Sequence, residues 1–250
     1  MADERAVLGA SVDRLRALVE PFGATELRAK AYPTEWTVAD VLSHIGSGAV
    51  IAALRVDESP GGPEVTPQPI WAEWNAKTPE AKAADALRAD AALLDRMDAL
   101  TADQRERFQM ALGPLTLDFA GALRIRINEH VLHTWDIAVT FDPRATLPVD
   151  ALDVVLHGVP LIAAFTGKPT GSTKEVRVHT TGPERQFVVG LSSSGVAVGP
   201  WQGALGDPDL VLPTEALIRL VYGRLDADHT PPFEGAPETL DELRRAFPGV

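Results

Sequence analysis

The spacing of apolar residues in the first half of the chain predicts four helices. Within each segment, aliphatic side chains recur every three or four residues and would share one helix face. The predicted segments are Val7–Phe22, a helix that follows Thr37 and includes Ile45, a helix that follows Thr78 and ends near Leu100, and Thr116–Phe141. Four helices of these lengths with three connections are expected to form an all-α four-helix bundle.

Capping residues support two of these helix starts. Thr37 is a suitable N-cap, and the carboxylate of Asp40 three residues later favours the positive end of the helix dipole. Thr78 precedes Pro79 and Glu80, which is typical of the first turn of a helix.

A proline- and glycine-rich segment, Ser59–Pro69, separates the second and third predicted helices. Such a composition predicts a loop. Trp71 and Trp74, which follow it, are interpreted as packing residues.

After Pro148 the pattern changes to short apolar segments divided by turn residues. A helix over Val149–Phe165 contains Pro160, which is expected to kink or break it. The remaining predicted elements are the strands Glu175–Thr181, Gln186–Leu191, Val196–Val198 and Asp209–Leu212, a helix capped by Thr214 and ended by Gly223, and a last helix near Leu240–Phe247. The sequence therefore predicts an all-α domain over residues 1–145 and an α+β domain over residues 146–250.

Composition and charge narrow the class of protein. Of the 250 residues, 45% are hydrophobic and 23% charged, so the chain can bury a substantial core. The net charge of −12, without a basic cluster, argues against nucleic acid and against anionic membrane surfaces as partners. No apolar run reaches the roughly 18 residues of a spanning helix, and the charged N-terminus is unlike a signal peptide, so we expect a cytoplasmic protein.

The chain contains no cysteine, which excludes disulfides, thiolate ligands and a cysteine nucleophile. Any metal ion must therefore be bound by histidine and carboxylate side chains. This restriction directs attention to the histidines of the predicted bundle.

Glu129 and His133 lie four residues apart on the fourth predicted helix, about 40° apart around its axis, and can reach one point in the interior. His44 borders the apolar stripe of the second predicted helix and is the candidate third ligand. Three such ligands leave a coordination position open, as in catalytic sites. Asp136 is placed to accept a hydrogen bond that orients a ligand, and His130, about 60° from His133, is an alternative ligand.

Each of these residues also has an ordinary structural interpretation. Glu129 and His133 can form a polar pair at i, i+4 spacing, and His44 can be a core histidine bonded to a backbone carbonyl. Spacing alone does not separate these interpretations.

Two stretches resemble the metal motifs of the DinB-like family of helical bundles. The first is Trp36–Ile45, which contains His44, and the second is Arg126–Asp136, which contains Glu129 and His133. The stretch Pro213–Arg224 resembles the C-terminal, sterol-carrier-like domain of mycothiol-dependent maleylpyruvate isomerases. The resemblance covers nearly the whole chain.

The resemblance implies a fold, a metal site and a thiol cofactor. His44, Glu129 and His133 would bind one divalent metal, zinc in the first place, with nickel or iron as alternatives. The other partners would be mycothiol or a similar small thiol and an electrophilic substrate that can carry a carboxylate. Arg224 would bind that carboxylate, although an arginine just after Gly223 can also bond the last carbonyls of its helix. We expect an isomerase of the maleylpyruvate type or a thiol S-transferase, as a monomer or small homo-oligomer.

Two other functions remain open at this point. A non-catalytic binding protein would have a hydrophobic cavity and no metal. A hydrolase would keep the metal and use metal-bound water instead of a thiol.

Overall fold

The computed structural model describes residues 3–32, 35–57, 59, 65–112, 115–203 and 206–249. The chain divides into two compact units, Met1–Ala145 and Thr146–Val250. Each unit is described by itself below.

The first unit is a helical region built on four long helices. Its elements, within the described residues, are α1 (Glu4–Val19), α2 (Ala24–Arg28), α3 (Val38–Asp57), α4 (Pro67–Asn75), α5 (Pro79–Ala99), α6 (Ala102–Glu106), β1 (Met110–Leu112), β2 (Leu115–Leu117) and α7 (Phe119–Phe141). The long helices α1, α3, α5 and α7 correspond to the four predicted helices. The expectation of an all-α unit is wrong in one respect, because β1 and β2 pair as an antiparallel hairpin.

This hairpin shortens the fourth predicted helix. Leu115–Leu117 belong to β2, and the helix α7 begins at Phe119. Asp118 is the N-cap, since its side chain accepts a hydrogen bond of 2.7 Å from the backbone N–H of Gly121. The apolar residues before Asp118 therefore belong to the strand pair and not to the apolar face of α7.

The prediction of a loop over Ser59–Pro69 is wrong at its C-terminal end. Its residues 60–64 lie outside the described part of the chain, but Pro67 begins the helix α4, with Thr66 as N-cap. Proline is tolerated in the first turn of a helix because the backbone N–H that it lacks has no partner there.

Hydrogen bonds confirm both predicted helix caps. The Thr37 hydroxyl accepts from the backbone N–H of Asp40 at 3.2 Å, while Asp40 accepts from the backbone N–H of Thr37 at 3.1 Å. This reciprocal pair fixes the start of α3. Thr78 accepts from the backbone N–H of Ala81 at 3.3 Å at the start of α5.

The core of the first unit surrounds α3. Gly46 faces Trp74 of α4 so closely that a Cβ atom there would lie 2.3 Å from the indole ring and 2.9 Å from Cα of Ala86. Trp74 is buried, as predicted for a packing residue. The surrounding cluster is apolar and includes Leu15, Leu27, Val38, Val41, Leu42, Ile45 and Ile137.

The second unit is a mixed sheet with helices. After a 3-10 turn at Val149–Ala151, its elements are α8 (Leu152–Thr166), β3 (Lys174–Thr181), β4 (Arg185–Ser192), β5 (Gly195–Pro200), β6 (Leu210–Pro213), α9 (Thr214–Val221), β7 (Glu234–Gly235) and α10 (Pro237–Ala246). The strand order is β5-β4-β3-β6-β7, in which β3 and β6 are parallel and the other pairs antiparallel. The four predicted strands are β3 to β6, and β7 was not predicted.

One expectation for the second unit is narrowed and another is wrong. The helix α8 continues through Pro160, so the expected break is absent, while a kink there stays a prediction. Pro160 is an exposed residue of this helix. Thr214 is the first residue of α9 and does not cap it, because its hydroxyl donates to the carbonyl oxygen of Pro183 at 2.6 Å.

Two segments are long and apolar enough to cross a membrane by length and composition alone, contrary to the sequence-based expectation. They are α3 and Val149–Thr166. Most of α3 is buried inside the first unit, as in the core helix of a water-soluble domain. One or two such segments carry little weight for a membrane location.

Candidate metal centre

The structure brings together the three side chains proposed as metal ligands. One ligand atom from each of His44, Glu129 and His133 lies within 4.8 Å of the other two. Nε2 of His44 is 2.7 Å from Oε2 of Glu129, and Nε2 of His133 is 3.6 Å from the same oxygen. Two imidazole nitrogens therefore converge on one carboxylate oxygen, between α3 and α7.

The carboxyl group of Glu129 is held in its ionised form. Burial raises its pKa, but the hydrogen bond from His44 and the positive charges of His133 and Arg126 outweigh burial and lower the pKa to about 2, from an ordinary 4.5. An ionised carboxylate beside two imidazoles is the state that binds a cation.

Asp136 orients His133. Its Oδ2 lies 2.8 Å from Nδ1 of His133, and its side chain is fully buried. Because a carboxylate can only accept, Nδ1 donates, and Nε2 is the ring nitrogen left to face Glu129. This is the usual hydrogen bond behind a metal-binding histidine.

Trp36 lies against both histidine rings. Its ring centroid is 5.4 Å from that of His44 and 6.3 Å from that of His133, with the second pair nearly parallel. Sequence reasoning included Trp36 in a motif without giving it a role. Its aromatic contact restricts both rings and covers part of the cluster.

His130, the alternative ligand, belongs to a different cluster. Its ring is 1% exposed, and its Nε2 lies 3.0 Å from Oδ1 of Asp90 and 3.1 Å from Nη2 of Arg126. Arg126 in turn donates to Asp90 at 3.0 Å. The ring of His130 is thus engaged beside the site and does not join the three converging ligands.

A cavity of about 320 Å³ opens beside the cluster, within the first unit. His44 and Glu129 line it together with apolar side chains of several elements, among them Ile51, Met97 and Ile125. Trp71 also lines the cavity and is partly exposed, so its interpretation as a packing residue and not a ligand contact stays a prediction. Its position one turn before the buried Trp74 could have indicated a half-exposed residue at the edge of the core.

Arg224 lies in the second unit, three residues after the end of α9. Its side chain is buried, and Nη1 donates to the carbonyl oxygen of Tyr222 at 2.9 Å. The sequence allowed two roles for Arg224, binding of a substrate carboxylate or bonding to the last carbonyls of its helix. The bond to Tyr222 is of the second kind. The role of Arg224 toward a substrate stays a prediction.

The fold and the cluster define a class: a protein with a helical unit that can bind a metal through two histidines and a glutamate, followed by a mixed-sheet unit. Residues 8–138 match the family described as mycothiol maleylpyruvate isomerase N-terminal domain. The chain belongs to this family. His44, Glu129, His133 and Asp136 all lie within the matched residues.

Two solved structures have a similar fold over both units. The mycothiol-dependent maleylpyruvate isomerase superposes with a TM-score of 0.64 at 14% identity, over 92% of this chain and 94% of that chain. A histidine-to-alanine mutant of that enzyme gives the same score and identity, over 89% and 88%. At this identity the likeness concerns the fold alone. No curated protein matches the sequence.

Proposed function

We propose that the protein is a metal- and thiol-dependent enzyme, an isomerase of the maleylpyruvate type or a thiol S-transferase. The observation that carries this proposal is the convergence of His44, Glu129 and His133 within 4.8 Å. Family membership adds support for a mycothiol-type cofactor.

The residues present fit a divalent metal. Two imidazole side chains and an ionised carboxylate match the ligand types of catalytic zinc sites and leave a position open. Nickel and iron accept the same ligands, so zinc is the first metal to test. The hydrogen bond from His133 to Asp136 orients the His133 ring, as such bonds usually do for metal-binding histidines.

Once bound to these residues, a divalent metal supplies the positive charge that keeps a small thiol in its thiolate form at neutral pH. The chain's own residues fix the geometry for this chemistry. Asp136 keeps the Nδ1 proton of His133 in place, and Trp36 limits the movement of both rings. Arg224 is proposed to bind a substrate carboxylate through its guanidinium group.

The metal content of the purified protein is the first test. We expect about one equivalent of divalent metal by mass spectrometry in the wild type and its loss in His44→Ala and in His133→Ala. His157→Ala is the matched control, because His157 is an exposed histidine of α8. A wild type that takes up no metal even after reconstitution would overturn the proposal.

A second experiment separates the two activities. The metal-loaded protein is incubated with maleylpyruvate or with an electrophilic thiol acceptor, together with mycothiol, glutathione or no thiol. An isomerase returns the thiol unchanged, whereas an S-transferase consumes one thiol for each product molecule. Turnover without any thiol would favour the hydrolase instead.

The cavity beside the cluster gives a non-catalytic binding protein some support, since its walls are mostly apolar. That function needs no metal. The wild-type metal content therefore decides between the two.

A further inference from the structure

The cavity next to the metal cluster is polar where His44 and Glu129 line it. Its volume of about 320 Å³ is at the lower end for small-molecule sites. The middle is lined by aliphatic, methionine and tryptophan side chains from α3, α4, α5, β1 and α7. Such walls suit a hydrocarbon group better than the sugar groups of a hydrophilic thiol.

One face of α3 runs along the whole cavity. His44, Gly48, Ile51 and Arg55 all line it. Eleven residues separate the first from the last, which places Arg55 about 16 Å along the helix from His44 and about 20° around it. Arg55 therefore defines a second polar end, opposite the metal cluster.

The two arginines of the cavity differ in their charge balance. Arg126 is buried, and its charge is balanced by Asp90 at 3.0 Å. Arg55 is half-buried, and within the described residues no hydrogen bond or ion pair is formed by its guanidinium group. In a chain with a net charge of −12, an arginine that lines a cavity and has no carboxylate partner among the described residues is a specific place for an anionic ligand group.

We propose that this cavity binds an elongated substrate with an apolar middle and a carboxylate, other than the one proposed for Arg224, at one end, held with that carboxylate at Arg55 and the reacting end at His44 and Glu129. The orientation at the metal rests on the proposed function; the binding of an apolar carboxylate does not. A guanidinium group binds a carboxylate through two parallel hydrogen bonds, and the aliphatic walls bind the chain. Arg55 is then a specificity-determining residue.

The test uses octanoate, octylamine and 1-octanol as probes, with the full-length, metal-loaded protein in a calorimeter. We expect octanoate to bind more tightly than octylamine. Arg55→Met should lower the affinity for octanoate about tenfold or more, whereas the affinity for 1-octanol should change by less than about twofold. Arg55→Lys should restore much of the octanoate affinity, and Arg88→Met, at an exposed arginine of α5, should change nothing.

A second variant tests the cavity without removing a charge. Ala52 lines the apolar middle, so Ala52→Leu should weaken octanoate and 1-octanol alike. Hexanoate, octanoate and decanoate should bind about fourfold more tightly for each added methylene until the cavity is full.

The outcomes separate this inference from the proposed function, since metal content is measured on the same samples. Octanoate binding that depends on the metal but not on Arg55 would overturn the inference and leave the metal site intact. Octanoate binding that depends on Arg55 in a protein that takes up no metal would support the ligand class and reject the catalytic function. Equal affinity for octanoate and octylamine would also overturn the inference.

Discussion

The Nδ1 atom of His133 and the Oδ2 atom of Asp136 lie 2.8 Å apart, one helical turn along α7. Asp136→Asn removes the charge and can present an N–H to Nδ1, which would move the ring proton to Nε2, the atom that faces Glu129. We expect metal affinity to fall by about 10- to 100-fold, measured by competition with a chelator.

Asp142→Asn is the control for this change, because Asp142 is an exposed aspartate at the end of the same helix. Unchanged metal affinity in Asp136→Asn would show that Asp136 has a structural role only.

His130 and His133 should respond differently to the same substitution. Because the ring of His130 is engaged with Asp90 and Arg126, we expect His130→Gln to keep about one equivalent of metal and to lower the free energy of unfolding by about 1–3 kcal/mol. His133→Gln should lose the metal and change the stability of the metal-free protein less. Metal analysis and urea unfolding of both variants test this, and the reverse pattern would make His130 the ligand.

The lowered pKa of Glu129 predicts a pH dependence in the metal-free protein. Its carboxyl group binds a proton near pH 4.5 in the unfolded chain but only near pH 2 in the folded one. The contribution of Glu129 to the free energy of unfolding is therefore complete above pH 4.5 and lost as the pH falls from 4.5 to about 2.

Wild type and Glu129→Gln, unfolded by urea at several pH values in this window, measure that contribution as a difference. The difference should shrink steadily toward pH 2. A constant difference would mean that Glu129 titrates normally in the folded protein.

Gly46→Ala and Gly48→Ala are a matched pair of substitutions that test how tightly α3 packs. A methyl group at position 46 would meet the Trp74 ring at 2.3 Å, so Gly46→Ala should destabilise the protein by about 2 kcal/mol or more. Gly48→Ala gains the same helix propensity but meets only the end of the Arg126 side chain, at 2.9 Å, and should cost much less. Thermal or urea unfolding compares the two, and equal effects would contradict the close contact with Trp74.

The sequence predicted the long helices because their periodicity and caps are local. Thr37 with Asp40, and Thr78 with Pro79, identified two helix starts that hydrogen bonds confirm. The sequence could not predict the β1–β2 hairpin, because two strands of three residues carry almost no periodic signal. Gly113 and Pro114 stand between the two strands in the sequence and lie outside the described residues, and this dipeptide was the available signal.

The residues of the candidate site also differ in how far the sequence could predict them. Glu129 and His133 could be paired from spacing along one helix, whereas their approach to His44 depends on how α3 packs against α7. The exclusion of His130 depends on Asp90, a residue on a third helix that no local pattern connects to it. The cavity, formed by five elements, had no counterpart in the sequence at all.

The contact of Gly46 with Trp74 has a dynamic consequence for the metal cluster. His44 lies two residues before Gly46, on the same rigid helix, so any turn of α3 about its axis that carried His44 away from Glu129 would also change the contact of Gly46 with Trp74 and Ala86. That contact opposes rotation of α3 about its axis. The position of the α3 backbone at His44 is therefore set by the packed interior of the first unit before any ion arrives, and the hydrogen bond between the side chains of His44 and Glu129 is what an ion must replace.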